Sequence, residues 1–150
     1  HSDLDLDVSS GLRFHPVEIL ASMLYKIGII FLLGPAPIAV LVFEAVLNGM
    51  ALFTHSNIAL PEKADYFFKK LIVTPDMHRI HHSVEVRETN SNYGFNLSIW
   101  DRIFGTYKEQ ALKAQPEIDI GINAFRSPDE LTFYNLLIMP KKYREQTYVT

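Results

Sequence analysis

Cysteine is absent from this chain of 150 residues, and its absence excludes several kinds of chemistry at once. Without a thiol the protein forms no disulfide, builds no thiolate zinc site and uses no cysteine nucleophile. An excess of positive charge is also missing, because 14 Lys and Arg residues stand against 17 Asp and Glu residues. With a formal net charge of -3, the chain lacks the broad basic surface of a protein whose main partner is nucleic acid.

Charge is nearly absent from one long stretch of the chain. Between Val17 and Phe53 only Glu18, Lys26 and Glu44 carry charge. A carboxylate inside an apolar helix is costly, so Glu44 requires a buried partner, a polar cavity or protonation. The length of the whole chain indicates a single domain, and this stretch is its most apolar part.

Two apolar runs, residues 17–33 and 38–53, make up this stretch. Gly34-Pro35-Ala36-Pro37 separates them and interrupts helical hydrogen bonding. Each run is apolar on all sides and has about the minimum length of roughly 17 residues that spans a bilayer core. The pattern predicts a membrane helical hairpin, and the alternative is a buried helix pair in a soluble protein.

Positive charge flanks this hairpin on both sides. Arg13 precedes the first run, and the residues that follow the second run include Lys63, Lys69, Lys70 and Arg79. Because loops rich in Lys and Arg stay in the cytoplasm, we expect a multi-pass membrane protein with both flanks of the hairpin cytoplasmic. The turn between the runs then faces the opposite side.

Histidine is the residue type that points to chemistry. His78, His81 and His82 form the motif H-R-I-H-H, and Thr74-Pro75-Asp76 before it predicts a helix that begins at Pro75. On a helix the three imidazoles lie on one side, where neutral imidazole is a good ligand for iron, zinc or copper. A solvated polar face is the alternative. The hairpin would bring all six histidines to one side of the membrane: His1, His15, His55, His78, His81 and His82.

At these residues the sequence resembles the fatty acid hydroxylase/sterol desaturase superfamily of membrane-bound di-iron enzymes. The resemblance covers His1 to about Tyr107 and is strongest in the segment TPDMHRIHHS, residues 74–83. The other matching segments are HSD (1–3), LRFHP (12–16), FTHSN (53–57), LP (60–61), NYG (92–94) and WDRIFGT (100–106).

The resemblance implies an all-α fold, in which a membrane hairpin at about 17–53 is followed by a cytoplasmic, histidine-rich metal-binding cap at about 54–107 and a tail at 108–150. Such enzymes carry three histidine boxes, H-x3-4-H, H-x2-3-H-H and H-x-x-H-H, and only the last is whole here. His1 resembles the final histidine of the second box, so we expect the remaining boxes upstream and expect these 150 residues alone to be inactive. The implied metal ligands are His1, His15, His55, His78, His81 and His82, and the residues implied to orient them are Asp3, Asn57, Asp76 and Asn92, with Glu85 and Glu88 as further candidates.

The activity that the resemblance implies is the use of O2 by two irons to hydroxylate or desaturate a lipid of sterol or fatty-acyl type. The chain has no G-x-G-x-x-G motif, so electrons would come from a separate reductase or cytochrome-type partner. The alternative is a non-catalytic membrane metal-binding or interaction module, a degenerate relative that lost its boxes. A third possibility, a soluble metallohydrolase with one zinc, would require the hairpin to be soluble core.

Overall fold

The computed structural model describes residues 3–147, and within them the chain is helical. In that part of the chain the only β-type pairing is two isolated bridges, Ile72–Leu97 and Ser83–Ile120, so the all-α prediction is confirmed. Seven α-helices follow one another: α1 (Pro16–Leu33), α2 (Pro37–Thr54), α3 (Glu62–Phe68), α4 (Pro75–His81), α5 (Val86–Thr89), α6 (Ile99–Phe104) and α7 (Phe133–Thr147). Short 3-10 helices lie at Ser10–Leu12, Gln115–Glu117 and Pro128–Leu131.

The predicted hairpin is formed by α1 and α2, each of 18 residues. Both helices begin with proline, whose missing N–H costs nothing in the first turn. Gly34 ends α1 in a left-handed conformation with φ of 57°, which glycine adopts without strain. No side chain of α1 is buried and only Ala51 and Thr54 of α2 are. Both helices are therefore candidate membrane spans whose apolar side chains face outward.

Glu44 has the partner that its position requires. The ammonium of Lys26 on α1 lies 2.7 Å from Oε1 of Glu44 on α2. The two charged side chains in the middle of the hairpin therefore face each other across the helix pair.

The start of α4 is placed as predicted. Thr74 is the N-cap, its hydroxyl accepts a hydrogen bond from Met77 N, and Pro75 is the first helical residue. The fully buried Asn92 then holds the helix in place, because its amide donates to the carbonyls of Met77 and Lys108 and accepts from Lys108 N. The tail also contacts the end of α4, since Gly121 N donates to the carbonyl of His82.

Asp101 organises the loop before α6. Its buried carboxylate accepts hydrogen bonds from Tyr93 N (2.7 Å), Gly94 N (2.8 Å) and the Thr106 hydroxyl (2.7 Å). The spacing of Ser98 and Asp101 predicts a capping box, and that prediction is wrong. Ser98 instead donates its hydroxyl to the carbonyl of Lys69, 2.7 Å away, because tertiary contacts outweigh the local cap.

We expect Asp101→Ala to destabilise the protein by about 3 kcal/mol or more, since each buried donor left without an acceptor costs about 1–3 kcal/mol. Thermal unfolding followed through the fluorescence of the single tryptophan measures this loss. Asp129→Ala is the matched control, because Asp129 is exposed and its side chain has no such role. Equal stability of the two variants would contradict the role given to Asp101.

Two helices end at residues other than those that the sequence pattern predicts. The pattern predicts a helical segment over residues 64–73, whereas α3 ends at Phe68. Pro140-Lys141-Lys142 predicts a helix end, whereas α7 continues past Pro140 to Thr147. By contrast, Ser127 is the N-cap of the predicted short helix, and the Glu130 carboxylate accepts from Ser127 N at 3.0 Å.

Candidate metal centre

Three buried histidines meet where the hairpin contacts the cap. Nε2 of His78 lies 3.2 Å from Nε2 of His55 and 3.1 Å from Nε2 of His82. One ring nitrogen from each residue lies within 4.8 Å of the others, which makes the cluster a group that could hold a metal ion. Each of the three residues is less than 9% exposed.

Two helices bring these residues together. His55 is the C-cap of α2, so it stands at the end of the second apolar helix. His78 lies in α4 and His82 is its C-cap, four residues later, which puts their side chains on the same face. Contacts between α2 and α4 close the arrangement.

Backbone carbonyls orient two of the imidazoles. Nδ1 of His55 lies 2.8 Å from the carbonyl oxygen of Ala51, and Nδ1 of His81 lies 2.9 Å from that of Ser91. A carbonyl only accepts hydrogen bonds, so Nδ1 carries the proton in each neutral ring and Nε2 keeps its lone pair. This is the arrangement in which a metal-binding histidine is held by a partner on its other nitrogen.

The cluster is held in the neutral form that ligates metal. Burial lowers the pKa of His55, and it lowers the pKa of His82, with the nearby His78 adding to the effect. The pKa of His78 is held well below its ordinary value by burial first and then by neighbouring histidines. At neutral pH these imidazoles therefore carry no charge.

The donor set fits a transition metal. Nitrogens bound at about 2.0–2.1 Å around a tetrahedral ion lie about 3.3 Å apart, close to the separations of His78 Nε2 from His55 Nε2 and from His82 Nε2. One proton on His78 Nε2 can be donated to Nε2 of His55 or to Nε2 of His82, so only one of the two contacts can be a hydrogen bond from this atom. His78 Nδ1 is buried and has no hydrogen-bond partner among residues 3–147. Three imidazole nitrogens therefore converge without enough protons to join them, a situation that a bound metal ion resolves.

Gly11 packs directly on the hydrogen bond that orients His55. A Cβ atom there would lie 2.9 Å from the carbonyl oxygen of Ala51 and 3.2 Å from Nδ1 of His55. We expect Gly11→Ala to cost about 1–3 kcal/mol of stability through overpacking and to weaken metal binding by displacing the ring.

Gly49→Ala is the matched control for Gly11→Ala, because a Cβ atom at Gly49 meets no atom within 4 Å. Thermal unfolding and metal content of the two purified variants make the comparison. Full metal content and unchanged stability in Gly11→Ala would contradict this role.

The other predicted histidine ligands are placed differently. His81 is half-buried beside the cluster, with its ring centroid 5.6 Å from that of His78. His15 is the N-cap of α1, where Nδ1 accepts from Val17 N and Nε2 lies 2.9 Å from the carbonyl of Leu137. Both ring nitrogens of His15 are therefore engaged away from the cluster. His1 lies outside the described residues, and the ligand roles of all three stay predictions.

The polar residues expected to orient the ligands have other contacts. Asn57 is exposed and accepts from the Arg79 guanidinium at 2.8 Å, and Asn92 holds the backbone of α4. Asp76 lines a cavity of about 930 Å³ between the cap and the tail, and burial raises the pKa of its carboxyl. Asp3 pairs with Arg13, and its negative charge acts on His55 to favour the protonated ring.

The two glutamates that are further candidates for orienting the ligands also have contacts outside the cluster. The buried Glu88 accepts from Leu112 N at 2.6 Å, and Glu85 is the N-cap of α5. The groups that the sequence does not reveal are the carbonyls of Ala51 and Ser91 and the close approach of Gly11, because none of them depends on a recognisable side chain.

An outward-facing apolar hairpin joined to a buried cluster of histidines that could hold a metal ion is typical of a helical membrane protein with a metal centre. The particular family follows from comparison of sequences. Residues 1–106 match the family model for fatty acid hydroxylase, and the chain belongs to that family.

Curated relatives support this assignment. An ornithine lipid hydroxylase, OlsE, from Rhizobium tropici is 36% identical over 114 residues, which cover 72% of this chain and 32% of the relative. An alkylglycerol monooxygenase from Homo sapiens is 28% identical over 138 residues, 91% of this chain and 29% of the relative. The same enzyme from Xenopus tropicalis is 28% identical over 127 residues, 83% and 27% of the two chains. The chain thus spans about a third of the length of these relatives, and no solved structure matches it.

Proposed function

We propose that the chain contributes the metal centre of a membrane-bound, O2-dependent lipid hydroxylase. The observation that carries the proposal is the contact of His55, at the end of an apolar helix, with His78 and His82 in the cap. Bound iron would supply the reduction of O2 to an oxidant able to take hydrogen from an unactivated carbon. We propose two irons, with His1 and His81 as further ligands, whereas the contacts of His15 with Val17 N and the Leu137 carbonyl give it a structural role.

The residues of the chain have separable tasks in this proposal. His55, His78 and His82 would hold the metal through Nε2, and the hydrogen bond from His55 Nδ1 to the carbonyl of Ala51 fixes the orientation of that ring. Burial of the cluster excludes water, which would otherwise consume the oxidant. The apolar surface of α1 and α2 gives a lipid chain a route from the bilayer toward the cluster.

Hydroxylation is the reaction we favour over desaturation. The names of the relatives, an ornithine lipid hydroxylase and an alkylglycerol monooxygenase, both describe insertion of oxygen. In this reaction a C–H bond becomes C–OH with one atom of O2, and the second atom leaves as water after the uptake of two electrons and two protons. The electrons come from a separate reductase or cytochrome-type donor. We propose a lipid of membrane origin as the substrate.

The test uses membranes from cells that express the full reading frame containing residues 1–150, supplied with ¹⁸O2 and reductant. A lipid product that gains one ¹⁸O atom is the expected result, and it must disappear in His82→Ala. A product that loses two hydrogens without gaining ¹⁸O would identify a desaturase. Metal binding without any oxidised lipid would favour the non-catalytic module.

The orientation of the hairpin is a further part of the proposal, with both flanks in the cytoplasm as the positive charges at Arg13, Lys69 and Lys70 favour. Because the chain has no cysteine, a single introduced thiol reports on its own position. We expect Ala36→Cys, in the exposed turn between the helices, to react with a membrane-impermeant maleimide added outside intact cells.

Glu117→Cys, exposed in the tail, is the matched control and should react only after the cells are opened. Labelling of the tail variant in intact cells, with the turn protected, would mean the opposite orientation.

A further inference from the structure

A second cavity, of about 730 Å³, lies between the start of α1 and the tail. Its volume is in the range of about 300–1,000 Å³ that is typical of ligand pockets. Its walls are mainly apolar, and the side chains that form them include Leu12, Phe14, Ile122, Leu131, Leu136 and Met139. Asp3, Arg13 and Glu18 also line it, with Arg13 paired to Asp3, so an apolar interior is combined with charged groups.

A hydrogen bond fixes one wall of this cavity against the hairpin. Nε2 of His15, the N-cap of α1, lies 2.9 Å from the carbonyl oxygen of Leu137 in α7. A carbonyl oxygen only accepts hydrogen bonds, so Nε2 of His15 donates. This hydrogen bond holds α7 next to the N-terminal end of α1. Because α1 is a candidate membrane span, this end of α1 marks the boundary of the bilayer.

The cavity adjoins the start of α1, a candidate membrane span. Pro16 and Glu18 belong to α1 and line the cavity. Val17 and Leu20, their neighbours in the same helix, are 66% and 61% exposed and begin the apolar outer surface of the hairpin. A lipid beside the start of α1 would therefore lie next to the cavity, whose lining on this side includes the charged Glu18.

We propose that this cavity binds one acyl chain of a bilayer phospholipid, with the headgroup near Arg13 and Glu18. The wall formed by residues 131–143 lies beyond the segment 1–106 that matches the family model, so this wall is a feature of the tail. The inference rests on the proposed function only for the location of the hairpin in a membrane, and it requires no turnover.

The experiment places the chain in nanodiscs of phosphatidylcholine that contain a small share of phosphatidylcholine with a diazirine on one acyl chain. After irradiation, peptide mass spectrometry locates the adducts. We expect adducts in residues 12–18 and 131–143 in addition to those on the outer surface of α1 and α2. Adducts on the hairpin alone would overturn the proposal, as would labelling of the tail by a diazirine fatty acid but not by the phospholipid.

Substitutions at Leu136 separate the cavity from the general bilayer surface. Leu136→Glu places a charge in the apolar lining, and we expect it to lower the ratio of tail adducts to hairpin adducts at least about tenfold. Leu136→Trp should lower the same ratio by filling the space. Leu112→Glu, the same change at a leucine outside this cavity that is 72% exposed against 37% for Leu136, should leave the ratio unchanged.

The hairpin adducts in each variant show that the protein is still inserted. Tail labelling that persists in both Leu136 variants would overturn the proposal. His78→Ala is expected to abolish turnover, and it should still be labelled normally by the phospholipid. The cavity proposal can therefore fail while the oxygenase proposal stands, and the oxygenase proposal can fail while the cavity proposal stands.

Discussion

His78→Ala is expected to remove bound iron and lipid oxidation together. His78 is the central member of the cluster, because its Nε2 is the atom that lies within 3.2 Å of the corresponding nitrogens of both His55 and His82. Loss of a group that merely orients a ligand costs about 10–100-fold in metal affinity, so loss of the central ligand should cost at least about 100-fold. The alanine also leaves the other two imidazoles without a third nitrogen to complete the site.

The measurement is iron content of the purified protein after dialysis, with ¹⁸O incorporation into lipid as the second readout. His15→Gln is the matched histidine control, because both ring nitrogens of His15 are bonded to the backbone of α1 and the tail. We expect this variant to retain its iron. Loss of iron from His15→Gln would show that the ligand set inferred from the family resemblance is right for His15. Retention of iron in His78→Ala would refute the proposed centre.

The metal-free protein is expected to lose stability steeply as the pH falls below about 6.5. Burial holds the pKa of His55, His78 and His82 below 6.5 in the folded protein, whereas the unfolded chain regains ordinary values. Below that pH the unfolded state binds more protons than the folded state, so acid favours unfolding. Each such histidine can contribute up to about 1.4 kcal/mol per pH unit.

Thermal unfolding between pH 7.5 and 5, followed through Trp100 fluorescence, tests this expectation. His82→Gln removes one of the three groups and should reduce the slope of melting temperature against pH by about a third. Iron-loaded protein should stay folded down to a lower pH than the metal-free protein, because protons must then displace the metal before they charge the ligands. Equal slopes for wild type and His82→Gln would contradict the assignment.

The hairpin and the start of α4 could be predicted from sequence because each has a local physical cause. Apolar runs with few charges, broken by Gly34-Pro35-Ala36-Pro37, define two helices, and Thr74 with Pro75 defines a helix start. The partner of Glu44 was required by the energetics, but its identity as Lys26 depends on how the two helices pack. The contact between His55 and the H-x-x-H-H motif followed from the family resemblance and not from spacing alone.

The rest could not be predicted because it depends on tertiary contacts. Asp101 does not complete a capping box with Ser98. Its carboxylate instead accepts hydrogen bonds from Tyr93 N and Gly94 N in the loop before α6. The partners of His15 and Asn92, at Leu137 and Lys108, are 122 and 16 residues away in sequence, so local pattern says nothing of them. The carbonyl groups that orient His55 and His81 are present at every residue and leave no signal in the sequence.

The ion pair between Lys26 and Glu44 also constrains how the chain is assembled in the cell. A Lys or Asp side chain at the centre of a lone helix raises the free energy of insertion by roughly 2.5–3.5 kcal/mol, and a glutamate carries the same charge as aspartate. Because the two residues lie on different helices, each helix alone would enter the bilayer with an uncompensated charge. The pair is neutralised only when both helices are present, so the translocon should release α1 and α2 together as one unit during synthesis.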